Sequence, residues 1–140
     1  MNREILFKAK RIDNGEWVEG FYYKTYGCRN GKKHDVHFIH TYEEDEHYEI
    51  DPSTICQYTG LNDKNGNKIW ENDFLRDRHT FYKVRWDDKF ARFIVDEYTK
   101  YNGKYVVIDR RGFNYFKEAP EIVWNKFDNP ELLEGGVEEC

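Results

Sequence analysis

The sequence predicts a small all-β protein, and three observations support that prediction. Aromatic residues make up 18% of the 140 residues, and rings suit the half-buried surface of a pleated sheet. Short stretches in which apolar and polar residues alternate indicate strands. Four Asn-Gly pairs lie between such stretches, and Asn-Gly is the preferred pair where both central residues of a hairpin turn need positive φ.

The first fifty residues begin with a predicted hairpin. A strand over 5–12 leads through a turn at 13–16 into a return strand over 17–23, where Gly20 marks a bulge or a close backbone contact. Residues 24–48 are the least constrained by pattern. They hold a second Asn-Gly turn, one short strand candidate at 36–40 and an acidic run. We interpret them as an excursion or arm that is long enough to carry an interaction.

The centre of the chain, residues 57–76, predicts strand, turn, strand, tight corner and strand. Asp63 to Gly66 supplies the turn, and Asn72 supplies the corner, because Asn is the non-glycine residue that best tolerates left-handed backbone. Further strands are predicted at 82–86, 90–95, 105–108, 113–117 and 122–127, with turns at 87–89, 101–104 and 110–112. One helical turn is predicted over 128–133, because Asn129 can cap it and Pro130 suits its first position. Many short strands with turns between them favour a small barrel or roll.

The same central stretch resembles the YopX family of phage and prophage proteins. The matching positions are Tyr58, Thr59, Gly60, Leu61, Asp63, Asn65, Gly66, Glu71 and Asp73, and residues 3–18 and 125–133 also fit the pattern. Cys56, Asn72 and Trp124 stand where the family usually has Gly. The resemblance implies one mainly β domain over 1–140: an N-terminal hairpin and variable arm (1–50), an SH3-like barrel (51–127), and a helical turn with a tail (128–140). It implies a structural role for the motif residues and brings no known reaction.

Composition and motifs exclude several classes of protein. The formal net charge of -5 argues against bulk polyanion binding, and no apolar run reaches the roughly 18 residues that span a bilayer. Without a signal-peptide pattern at the N-terminus, we expect a cytoplasmic location, and the resemblance to phage and prophage proteins implies that the cell is a bacterial host. Cys28, Cys56 and Cys140 have neither disulfide nor zinc spacing. Since nucleotide-binding loops and hydrolase motifs are also missing, we expect no cofactor and no enzyme.

Two groups of side chains could carry chemistry, and for both we prefer the structural interpretation. His34, His37 and His40 are spaced like ligands, but on a strand His37 opposes the other two, so we predict no metal site. Glu71 and Asp73 could form an acid–base pair. A working pair needs a pocket and separated pKa values, whereas carboxylates beside a corner more commonly accept backbone N–H bonds.

Charge is unevenly distributed along the chain. Residues 76–117 hold 11 Lys and Arg against 6 Asp and Glu, and residues 111–116 interleave basic and aromatic side chains. This pattern makes a nucleic-acid-associated protein the alternative function, with contacts from Arg85, Arg110, Arg111 and Phe113. The favoured function is a non-enzymatic binding or assembly module, encoded by a phage or prophage, whose partner is a protein, either a second copy or a host protein. Self-association is predicted from the many rings in a short chain.

Overall fold

The structure, a computed structural model, describes residues 4–129 and 137–139 and confirms the all-β prediction. In these residues no helix is long and apolar enough to cross a membrane. The strands are β1 (Phe7–Lys10), β2 (Trp17–Arg29), β3 (Lys32–Thr41), β4 (Glu46–Glu49), β5 (Cys56–Asn62), β6 (Lys68–Trp70), β7 (Asp73–Asp77), β8 (Thr80–Asp87), β9 (Arg92–Tyr101), β10 (Lys104–Gly112), β11 (Glu121–Asn125) and β12 (Val137–Glu139). Short 3-10 helices cover Pro52–Thr54 and Phe113–Tyr115.

The chain divides into two compact units between Tyr58 and Thr59. The first unit is an antiparallel sheet with the strand order β4-β3-β2-β1-β5. Its core is formed by Ala9, Ile39 and Ile50, against which partly buried apolar side chains pack. Residues 24–48, which we interpreted from the sequence as an excursion or arm, are therefore mostly part of the sheet. They complete a long β2–β3 hairpin and the β3–β4 pair, since cross-strand pairing far from the turn imposes regular structure on a weak pattern.

The turn chemistry was predicted correctly at two Asn-Gly pairs and incorrectly at two. Both residues have positive φ at Asn30-Gly31 and at Asn102-Gly103. At the pairs ending in Gly15 and Gly66 only the glycine does, so these turns belong to other types. The close contact predicted at Gly20 is present, because a Cβ added there would overlap the backbone carbonyl of His40.

The second unit contains a sheet with the order β11-β7-β8-β9-β10-β12, which is antiparallel except for the β10–β12 pair. Two core clusters stabilise it. One contains Ile69, Leu75, Tyr82, Val84 and Val95, and the other contains Phe74, Tyr98 and Val107. In the part of the chain that the structure describes, this order is open and ends at β11 and β12. The SH3-like barrel therefore stays a prediction.

Two local predictions in this unit are wrong. The turn predicted at 110–112 does not occur, because β10 continues to Gly112 and pairs with β9, with a register shift between Val107 and Asp109. The strand predicted over 113–117 is replaced by the 3-10 helix Phe113–Tyr115. The helical turn predicted over 128–133 lies outside the described residues except for Asp128 and Asn129, and Cys140 lies outside them as well.

The corner at Asn72 is confirmed, with a φ of 71°. Its backbone N–H donates to the carbonyl of Val84 at 2.9 Å, and its own carbonyl accepts from the N–H of Lys126 at 3.1 Å. Asn tolerates this left-handed conformation better than other side chains do. The corner thus directs the chain from β6 into β7 and fastens it to two distant parts of the second unit.

Candidate binding surfaces

The first unit exposes a cluster of rings on one side of its sheet. Successive residues of a strand alternate between faces, and the register places Phe21 opposite His40, Tyr23 opposite Phe38, and His40 opposite His47. The turn residue Tyr42 contacts this cluster through Phe21, with ring centroids 4.2 Å apart. We call this set of six side chains the aromatic face: Phe21, Tyr23, Phe38, His40, Tyr42 and His47.

The rings of the aromatic face pack against one another while staying accessible to solvent. Tyr23 stacks on Phe38 at 5.4 Å, and His40 stacks on His47 at 4.3 Å. Phe21 is nevertheless 44% exposed and Tyr42 is 54% exposed. Large exposed apolar patches commonly mark contact sites. Mutual packing already restricts these side chains, so a partner would lose less entropy in ordering them.

The three histidines singled out in the sequence separate as their spacing predicted. His34 and His40 lie on the same face of β3, whereas His37 faces the other way, where its Nδ1 is 2.6 Å from the hydroxyl of Tyr22. The structure brings His40 together with different residues. Its Nε2 lies 2.8 Å from a carboxylate oxygen of Asp45, and its ring stacks on His47. The spacing in the sequence did not predict this arrangement, because Asp45 and His47 come close to His40 only when β3 and β4 pair in the observed register.

The second unit contains a cavity of about 950 Å³ beside the β7–β8 turn. Its lining includes Arg78, His79 and Lys117, whose side chains have no hydrogen-bond or ion-pair partner in residues 4–129. Arg76 also lines it, but its guanidinium is 2.7 Å from Glu121. This hydrogen bond is the largest cause that lowers the pKa of the Glu121 carboxyl below its ordinary value. The cavity therefore offers the unpaired positive charges of Arg78 and Lys117, which lie within the basic region 76–117 but were not among the predicted contact residues.

The cationic residues predicted to contact nucleic acid are engaged within the protein. Arg85 Nε donates to Asp96 at 2.6 Å, and Arg110 lies 3.8 Å from the same carboxylate. Arg111 donates to Glu97 at 2.9 Å. Phe113 packs against the core cluster around Tyr82. The β9 carboxylates offset the arginine charges, so a phosphate group would have to compete with them.

The family-motif residues make contacts that hold turns and strands. Buried Asp63 accepts backbone N–H bonds from Asn65 and Asn67, both at 2.9 Å, and from Ile122 at 3.1 Å. Thr59 Oγ1 donates to the carbonyl of Ile69 at 2.8 Å. Gly60 and Gly66 both have positive φ, which glycine adopts without strain. Tyr58 is buried, Leu61 is exposed and Glu71 is half-buried.

The carboxylate of Asp73 accepts hydrogen bonds from within the protein. It is buried; Oδ2 accepts the N–H of Trp70 at 2.8 Å, and Oδ1 accepts the side-chain amide of Asn125 at 3.0 Å. One oxygen thus binds a backbone donor just before the Asn72 corner, as expected for a carboxylate that stabilises a turn, and the other binds a side-chain donor on β11. Trp124, which occupies a family Gly position, lies beside a register shift in β11 and stacks on Phe74.

A family model described as YopX protein matches residues 6–134, which is most of the chain. No curated protein matches the sequence. The match covers the motif residues, the aromatic face and the cavity of the second unit.

Proposed function

The chain belongs to the YopX protein family, and we propose that it is a non-enzymatic binding module that docks a partner protein on the aromatic face. The observation that carries the proposal is the set of packed but exposed rings on the solvent side of the first unit's sheet. The proposal includes the origin that the resemblance implies, a phage or prophage, and action in the cytoplasm of the bacterial host.

The composition of the aromatic face fits a protein partner. Tyr and Phe are enriched at the centres of protein interfaces, where charged residues are depleted. The core of the aromatic face consists of Phe21, Tyr23 and Phe38, with Tyr42 at its border. Truncation of such central rings is what commonly costs an interface most of its affinity.

The charges beside the rings determine which kind of partner fits. Glu49 lies opposite Phe38, and Glu43 and Asp45 lie in the turn next to Tyr42; all three are exposed. Two copies meeting through this face would bring like charges together. We therefore commit to a partner whose contact surface has an apolar centre and a basic rim, since complementary charge favours association and like charge opposes it.

The non-enzymatic part of the proposal is supported by the position of the best acid–base candidates. Asp73 is buried and both of its carboxylate oxygens accept structural hydrogen bonds. A general acid or base has to reach a substrate atom within hydrogen-bond distance. Asp73 would lose the contacts that fix the Asn72 corner if it did so.

The test compares two pairs of exposed rings. The full chain and the variants F21S/Y42S and F90S/Y101S are first used to capture proteins from a bacterial lysate. The captured protein is then purified, and its binding to the full chain and to each variant is measured by calorimetric titration at two salt concentrations. Phe90 and Tyr101 are 64% and 68% exposed on the second unit and serve as the control. We expect F21S/Y42S to weaken binding at least about tenfold, F90S/Y101S to leave it unchanged, and added salt to weaken it.

Two results would overturn the proposal. One is equal binding by both double variants. The other is a concentration-dependent dimer, measured by light scattering in reductant, that the F21S/Y42S variant abolishes, because the occupant would then be a second copy. A mass near 17.1 kDa at all concentrations supports a foreign partner.

A second candidate function, association with nucleic acid, is favoured by the unpaired cations Arg78 and Lys117 around the second unit's cavity. The SH3-like barrel that the resemblance implies for 51–127 is compatible with it, although small barrels host many unrelated functions. Fluorescence anisotropy with single- and double-stranded oligonucleotides at low salt tests this candidate. Binding that falls steeply with salt and is weakened by R78Q/K117Q but not by R85Q supports it, and no binding at low salt excludes it.

A further inference from the structure

The β3–β4 turn gathers three side chains of the types that ligate metals. His40 lies near the end of β3, Asp45 lies in the turn and His47 lies on β4 directly opposite His40. One potential ligand atom from each lies within 4.8 Å of the other two. We propose that this trio binds one divalent transition-metal ion of the Zn²⁺ type, with His40 Nε2, a carboxylate oxygen of Asp45 and His47 Nε2 as its protein ligands.

The spacing of the three groups suits a metal after small side-chain movements. An ion about 2.1 Å from each of its tetrahedral ligands holds those atoms about 3.4 Å apart. The His40–Asp45 contact is 2.8 Å, and one potential ligand atom of His47 lies within 4.8 Å of one from each of the other two residues. The required spacing lies between these values, and the two stacked imidazoles have to tilt away from their interplanar angle of 9° so that both nitrogens point at one ion. The Asp45 side chain is 87% exposed and has room to turn, and water would complete the coordination.

The neighbouring residues prepare the two imidazoles for this role. The Tyr23 hydroxyl lies 2.8 Å from His47 Nδ1. When Nδ1–H donates to the Tyr23 oxygen, the lone pair is on Nε2, which is how metal-ligating histidines are commonly oriented. His40 Nε2–H donates to Asp45 in the metal-free arrangement. On binding, that proton moves to Nδ1 or to solvent, and the ion takes its place.

The donor set and the local charge indicate which ions bind. Two imidazoles and one carboxylate suit Zn²⁺, Ni²⁺ or Cu²⁺, whereas Ca²⁺ and Mg²⁺ require oxygen ligands in larger number. Residues 43–46 are all acidic and raise the local concentration of cations. This proposal replaces the sequence-based expectation of no metal, which rested on His34 and His37 as partners of His40. His34 instead lies beside Gly27, and His37 lies on the opposite face of the sheet.

Calorimetric titration of the full chain with ZnCl₂ tests the site. Cys28 and Cys140 are first replaced by Ser so that their thiols do not compete for the ion. We expect one equivalent to bind, and H47Q and D45N to weaken binding at least about tenfold each, since even the loss of an outer hydrogen-bond partner costs tenfold or more. H34Q is the matched control, because it removes an imidazole from the same face of the same strand, and it should leave the affinity unchanged.

Imidazole NMR spectra give a second readout that does not depend on variant folding. One equivalent of Zn²⁺ should shift the ring signals of His40 and His47 and leave those of His34, His37 and His79 in place. The proposal is overturned if no Zn²⁺ binds, if H47Q binds as tightly as H34Q, or if the shifted signals belong to the other three histidines. Because F21S/Y42S keeps all three ligands, it should still bind the metal, which separates this test from that of the docking proposal.

Discussion

Replacing Asp63 by Ala should destabilise the second unit more than its place in a surface turn suggests. The carboxylate accepts two backbone N–H bonds inside its own turn and a third from Ile122, which is 59 positions away on β11. D63A therefore leaves three donors without their acceptor. It also removes the link that ties the β5–β6 turn to the edge strand of the main sheet.

The expected loss follows from these three bonds. A hydrogen bond to a charged group contributes about 1.5–3 kcal/mol. The turn is solvent-exposed, so in D63A water can accept hydrogen bonds from the backbone N–H groups of Asn65 and Asn67. Water can replace less of the hydrogen bond from the N–H of Ile122. We therefore expect D63A to lower the free energy of unfolding by about 2–4 kcal/mol, which is a large part of the 5–15 kcal/mol typical of a protein.

Urea denaturation monitored by circular dichroism measures this loss, and hydrogen exchange at the Ile122 amide localises it. D13A is the matched control, since Asp13 also lies in a hairpin turn but its side chain is 64% exposed and pairs with Arg11, an arrangement that contributes little. The reasoning is refuted if D63A unfolds at the same urea concentration as D13A and the wild type, or if Ile122 exchange is unchanged.

The pH dependence of the same contribution has a definite sign. Burial alone would raise the pKa of the Asp63 carboxyl, but the N–H groups of Asn67, Ile122 and Asn65 outweigh it and hold the pKa below the ordinary 3.8. The unfolded chain therefore takes up the proton first as pH falls. The stability difference between wild type and D63A should be constant above about pH 5 and shrink as pH falls through the folded-state pKa.

Two further predictions concern the close backbone contact in the first unit and a buried phenol in the second. G20A should cost about 3 kcal/mol of unfolding free energy, because the added Cβ overpacks against the His40 carbonyl. G27A should cost less, because its added Cβ meets side-chain atoms that can rotate. Equal urea midpoints for the two variants would contradict this. Burial, and next the charge of Glu97, raises the pKa of Tyr82. In an alkaline absorbance titration of the folded protein, Y82F should therefore match the wild type. A smaller absorbance change in Y82F than in the wild type would refute the assignment.

The sequence by itself determined the features that depend on a few neighbouring residues. The all-β class, the β1–β2 and β8–β9 hairpins and the left-handed corner at Asn72 all follow from local alternation and from which residues tolerate positive φ. Even there, local chemistry left alternatives, because Asn65-Gly66 forms a turn in which only the glycine has positive φ. The family motif predicted a structural role for Asp63 but not its hydrogen bond to Ile122.

Only the tertiary structure decided which strands pair and therefore which side chains meet. Pairing with β9 extends β10 through the predicted turn at Arg110 and Arg111 and gives their side chains carboxylate partners. The β3–β4 register brings His47 to His40, while no spacing in the sequence relates them to Phe21 and Tyr23. The physical reason is that a strand's pattern specifies which face a residue takes, whereas its neighbours across the sheet are set by long-range contacts that lie outside any local window.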